Sequence, residues 1–102
     1  MVDGVAKHAY RQTSLGRRFV DVLSPDNIAH ESKVGYTALT KFVERQILKD
    51  AELVKSKEFS GAVWHFFRSA VTGQIGPSQP LVDLINSLKD KGINIDYIIY
   101  NK

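Results

Sequence analysis

The sequence predicts a mostly helical α+β domain: three to four helices, opening as a helical hairpin or bundle, and a single C-terminal β-strand. Three observations predict it. Apolar residues recur at three- and four-residue intervals through most of the chain, the period of a buried helical face. The run Ile93-Asn94-Ile95-Asp96-Tyr97-Ile98-Ile99-Tyr100 instead alternates from one side to the other, as a strand does. The chain has 102 residues, 43% hydrophobic and 25% charged, enough for one modest core. No repeat, low-complexity tract or long linker divides it, so residues 1–102 are expected to form one domain.

The first helix is expected from Thr13 or Ser14, whose hydroxyls can accept from first-turn amides, to about Leu23. Leu15, Phe19, Val22 and Leu23 share its inner face. Ser24-Pro25-Asp26-Asn27 has turn chemistry, because proline presets its φ and short polar side chains bond local backbone. A second helix from about Ser32 to Asp50 carries Gly35, Ala38, Leu39, Phe42, Val43, Gln46 and Ile47 inward. Glu44, Arg45 and Lys49 lie mostly outside.

A third segment holds Phe59, Ala62, Val63, Phe66, Phe67, Ala70 and Val71 at helical spacing, with Trp64 at the margin. Ala62 to Phe67 is apolar and aromatic enough for a strand; the spacing favours helix. Gly73-Gln74-Ile75-Gly76-Pro77 breaks the chain. Ser78 or Gln79 before Pro80 suits a helix start. Leu81, Leu84, Ile85 and Leu88 form its seam, and Lys89, Lys91 and Gly92 its end. A lone terminal strand needs a neighbour for its backbone donors and acceptors, which points to a second chain.

Composition excludes several chemistries. There is no cysteine, hence no disulfide, thiolate or cysteine-based metal site, and an intracellular location is expected. No apolar run approaches the roughly 20 residues that span a bilayer, so no membrane association is expected. Met1-Val2-Asp3-Gly4-Val5 has no charged-then-apolar signal pattern. The net charge of +3 is concentrated early, with Lys7, Arg11, Arg17 and Arg18 against Asp3 and Asp21. Arg11, Arg17 and Arg18 are therefore the candidate phosphate contacts if nucleic acid is bound.

His8, His30 and His65 lack metal-ligand spacing, so no metal is expected. Gly73-Gln74-Ile75-Gly76 has a GxxG form without its basic residue and reads as a helix–helix turn. Ser14, Ser60 and Ser69 lack nucleophile context. Asp21, Asp26, Glu31, Glu44 and Glu58 read as solvated charges. No catalytic residue or cofactor is expected, and the chain reads as a non-enzyme. Trp64 is either a core lid or an interface anchor.

Tyr10-Arg11-Gln12-Thr13-Ser14-Leu15-Gly16, with Phe19, Asp21 and Leu23, resembles the opening of the small (gamma) subunit of general transcription factor IIA. Val63-Trp64-His65-Phe66 and Ile95-Asp96-Tyr97-Ile98-Ile99 resemble later segments of that family in the same order. The resemblance implies N-terminal helices in a four-helix bundle shared with a partner, and C-terminal strands in a shared β-barrel that meets TATA-binding protein and DNA. It also implies a nuclear location. The expected function is a protein-interaction subunit of transcription-factor assembly, or a homo-oligomer, using Trp64, Ile95, Tyr97 and Ile99. The alternative is a small basic helical nucleic-acid-binding domain, and a third possibility is an enzyme or carrier built around Trp64 and His65.

Overall fold

The computed structural model describes residues 7–101. The segment Met1 to Val5 considered above as a signal lies outside them. The described residues form five strands and two helices: β1 (Lys7–Thr13), β2 (Gly16–Leu23), β3 (Ile28–Val34), α1 (Lys41–Lys55), β4 (Gly61–Phe67), α2 (Gln79–Asp90) and β5 (Ile95–Tyr100). The strands make one mixed sheet in chain order, antiparallel from β1 to β3 and parallel from β3 to β5. The expected class, three to four helices with one strand, is overturned.

The expected first helix is a β-hairpin. Thr13 pairs with Gly16 around Ser14-Leu15, and the Thr13 hydroxyl donates to the Gly16 carbonyl at 2.6 Å. Gly16 takes φ +117°, which favours glycine. The Ser14 amide and hydroxyl both donate to the Glu52 carboxylate, at 2.8 and 2.6 Å, pinning the turn to α1. The family resemblance therefore rests, at its start, on a hairpin rather than a bundle helix.

The expected second helix begins as β3 and becomes helical only at Lys41, where the Thr40 hydroxyl accepts from the Val43 amide at 3.1 Å. The third expected helix is β4. Flanked by parallel neighbours on both sides, this central strand is apolar in a nearly continuous run, which imitates helical spacing. Gly73 to Gly76 thus lies in a strand-to-helix connection, not between helices. The fourth expectation matches: Ser78 occupies the N-cap position of α2, though its hydroxyl makes no capping bond, Pro80 lies in the first turn and Gly92 follows the end.

The terminal strand has its neighbour inside the chain. β5 pairs with β4 from Ala62↔Ile95 to Phe67↔Tyr100, and only its outer edge is open.

From β3 the sheet grows in one direction through two parallel crossovers, β3–α1–β4 and β4–α2–β5. Crossovers of one hand that advance in one direction place both helices on the same face. The core lies there: Val20, Ala29, Ala62, Trp64, Phe66 and Ile95 from the sheet against Ile47, Leu53, Leu81 and Ile85 from the helices. The other sheet face carries His30, His65, Phe67, Ile98 and Tyr100 without a covering layer.

Candidate functional site

The ladder between β2 and β3 is short. Only Val22↔His30 and Leu23↔Ala29 are in register, although each strand continues beyond them. An extra residue in β2 between Val20 and Leu23, opposite Lys7 to Ala9 of β1, bends the strand at this point. The two strands separate, and polar side chains occupy the fork.

Alternation from the registered pair sends Ala29, Glu31 and Lys33 to the helical face. Glu31 is 5% exposed, among the least exposed carboxylates of the chain. Its Oε1 accepts from Arg18 Nη2 at 3.0 Å, and its Oε2 lies 3.2 Å from Lys33 Nζ. Arg18 turns its other donors to Asp50 of α1, Nε to Oδ1 at 2.7 Å and Nη2 to Oδ2 at 3.1 Å. Trp64 Nε1 donates to the same Oδ2 at 3.0 Å. Lys33 Nζ also donates to Gln46 Oε1 of α1 at 3.1 Å.

Two cations and two anions thus balance in the buried part of the fork. Burial works against the charge of Arg18, but the Asp50 hydrogen bonds and charge, with those of Glu31, outweigh it. The guanidinium pKa is raised above its ordinary value.

Asp21, on the facing strand at the bend, is exposed. Its Oδ2 accepts from the Ser32 amide at 3.1 Å, so the carboxylate takes a backbone donor that the broken ladder has left. Among the described residues no cation lies within ion-pair distance of it. Beside the fork is a cleft of about 120 Å³ lined by Arg17, Arg18, Phe19, Phe42, Gln46 and Lys49.

Chemically, among the described residues the fork presents one carboxylate bonded to a backbone amide but to no cation, one carboxylate shared by two cations, and an ammonium held between a carboxylate and an amide. Among the described residues no group of three or more His, Asp or Glu side chains is placed to hold a metal ion. Two carboxylates suit Mg²⁺, which keeps waters and takes substrate oxygens rather than needing an all-protein cage.

A larger groove, about 580 Å³, is lined by Lys55, Lys57, Phe59, Lys91 and Ile93 among others. Lys55 ends α1 and Lys91 caps α2, positions where cations offset the negative helix termini. That placement accounts for them without a ligand.

The residues singled out from sequence do not form one surface. Trp64 and Ile95 are core, 0% and 1% exposed. Tyr97 is half-buried and Ile99 exposed at the sheet edge. Arg18 is buried and neutralised. Arg11 lies 3.7 Å from Glu58 and over the Phe59 ring. Arg17 is exposed, its guanidinium over Tyr10. His30 and His65 join on the open sheet face: His30 Nδ1 to His65 Nε2 at 2.9 Å, and His65 Nδ1 to the Tyr100 hydroxyl at 2.8 Å.

Sequence reasoning missed Asp21, Glu31, Lys33, Gln46 and Asp50. The available signal was Glu31-Ser32-Lys33, two opposite charges sharing one strand face with Ala29. Glu31 was placed in solvent; it is buried.

No family model, curated protein or solved structure matches the chain. No helix among the described residues is long and apolar enough to cross a membrane.

Proposed function

We propose that the fork is the active site of a magnesium-dependent phosphodiesterase acting on nucleic acid. The observation that carries this reading is the Lys33 ammonium. It is held 3.2 Å from Glu31 and 3.1 Å from Gln46, and the facing strand carries Asp21, whose carboxylate accepts from the amide of Ser32, the residue between Glu31 and Lys33. Asp21 and Glu31 would hold the cation through their oxygens, and when bound it would lower the pKa of its water and offset charge on the phosphoryl oxygens. Lys33 orients the attacking water and offsets the charge that builds on phosphorus. Water adds, one P–O ester bond breaks, and the leaving oxygen takes a proton. Gln46 fixes the position of Lys33, and Arg18 with Asp50 fixes that of Glu31. Lys49 beside the cleft supplies charge for the polyanion. This departs from the non-enzymatic expectation, which rested on solvated carboxylates. It keeps nucleic acid as the partner and goes with an intracellular site of action.

The test is incubation of the chain with plasmid, single-stranded DNA and RNA, with Mg²⁺ or with EDTA. Cleavage that needs Mg²⁺ and falls on the order of 100-fold or more in Asp21→Asn and Lys33→Met is expected. Asp21 is exposed, so its variant folds, and circular dichroism checks this. Cleavage equal in Asp21→Asn, or none on any substrate, refutes the reading.

A second reading has its own support. The sheet face opposite the helices exposes Val34 at 68%, Ile98 at 45% and Phe67 at 37%. A sheet face of this kind is normally covered. A protein partner or a second copy on that face preserves the interaction role expected from sequence. Sedimentation at micromolar concentration tests self-association, and a monomer removes the second-copy form.

A further inference from the structure

We infer that the cleft beside the fork takes an unpaired nucleotide, with its base on Phe42 and its phosphate on Lys49, so that the preferred substrate is single-stranded. This rests on nucleic acid being the substrate proposed above.

Phe42 is the most exposed aromatic side chain among the described residues, at 69%. It is the second residue of α1, where an apolar ring has no core to fill. Gln46 and Lys49 follow at i+4 and i+7, so the three share one stripe of the helix, and all three line the cleft. Lys33 Nζ lies 5.8 Å from the Phe42 ring centre, which places the ring beside the proposed reaction centre. Phe19, 61% exposed, lines the cleft with Arg17 from β2.

Charge complements the ring. Lys49 lines the cleft, its Nζ anchored on the Arg17 carbonyl at 2.8 Å, while the Arg17 guanidinium lies over the Tyr10 ring. Lys41 and Arg45 occupy the adjacent stripe of α1, whereas Glu44 lies on the far side of the helix. Arg18 is already neutralised by Asp50 and Glu31. Among the described residues none of those lining the cleft is a carboxylate.

An exposed ring within a cationic cleft suits a base whose face is free. A duplex hides its base faces within the stack, and a cleft of about 120 Å³ is too small to admit one. Stacking of a base on an aromatic side chain is worth about 1–3 kcal/mol, a fold-change of roughly 5 to 150.

The experiment measures fluorescence anisotropy of labelled oligothymidylate and of a labelled duplex with the full chain in EDTA, where no metal-dependent cleavage occurs. The single strand is expected to bind at least tenfold more tightly. Phe42→Ala is expected to weaken single-strand binding 5- to 150-fold and leave duplex binding within about twofold. Phe42→Trp is expected to restore it, and affinity should fall steeply with salt. Equal or tighter duplex binding, binding of neither polymer, or a single-strand affinity unchanged in Phe42→Ala overturns the inference. Failure is separable from that of the hydrolase reading. Single-strand binding lost in Phe42→Ala, without Mg²⁺-dependent cleavage, supports the subsite and refutes the hydrolase. Cleavage with indifferent binding of the two polymers does the reverse.

Discussion

Replacing Arg18 by methionine isolates the buried charge network. Methionine keeps most of the aliphatic stem and removes every donor. Asp50, 1% exposed, then loses both Arg18 hydrogen bonds and keeps only Trp64 Nε1. Glu31 keeps Lys33. Breaking a buried pair by removing one partner costs about 3–5 kcal/mol, because the remaining charge is uncompensated. Domain stability as a whole is about 5–15 kcal/mol. For a chain of this size each kcal/mol moves Tm by about 4–8 °C, so a fall of about 12 °C or more is expected. The chain has one tryptophan, and it is fully buried in this network, so its fluorescence in a urea titration reports the transition directly. The double variant Arg18→Met/Asp50→Leu should recover part of the loss, since it removes both members of the strongest pair. A single variant within about 1 kcal/mol of the parent, or a double variant equal to the sum of the two singles, refutes the account of Arg18 as the charge that permits Asp50 to be buried.

Two further outcomes test other parts of the fold. Burial first, and the neighbouring charge of His30 second, lower the pKa of His65 below 6.5. The unfolded chain therefore binds this proton more readily than the folded one, and stability falls as pH drops through 6.5 towards the folded value. Urea midpoints between pH 8 and 5 should decline in the parent and decline less in His65→Phe, and parallel curves would refute the assignment. Gly61→Ala should cost about 1–3 kcal/mol through overpacking. Its Cβ falls 2.5 Å from Asn94 Nδ2, whose amide donates to the Ser60 carbonyl, and 3.0 Å from Ile28 Cδ1. An unchanged midpoint would show that Asn94 yields freely.

The helix α2 and the strand β5 were legible because each carries local signals that agree: a serine before proline and a glycine at the end of α2, and alternation in β5. The hairpin was not, because Phe19, Val22 and Leu23 fit both a helical stripe and a bent strand. The bend adds a residue to β2 and so disturbs its period-two pattern. β4 was misread for another reason: a strand flanked on both sides by parallel partners is buried along its length, and its continuous apolar run contains helical spacings. The fork was hidden because its chemistry is made by tertiary structure. Asp21 comes from β2 and Glu31 and Lys33 from β3, which diverge at the bend, and Gln46 and Asp50 come from a helix expected to start nine residues earlier. Arg18 was legible as a cation but not as a buried one, since its partners lie 13 and 32 residues away.

Structural and proposed catalytic parts of the fork meet at Glu31, and their division follows from its two oxygens. Oε1 faces Arg18, which is committed to Asp50; Oε2 faces Lys33, which is partly exposed and reaches the cleft through Gln46. Each carboxylate oxygen has two lone pairs, so a single donor on each does not exhaust its capacity. Two adjacent cations nevertheless lower the affinity of Glu31 for a third positive charge. In the proposed reaction the compensating negative charge comes from Asp21 and from the substrate phosphate. On that reading a metal ion would be held well only once the substrate is present, and the buried network holds Glu31 in place beforehand.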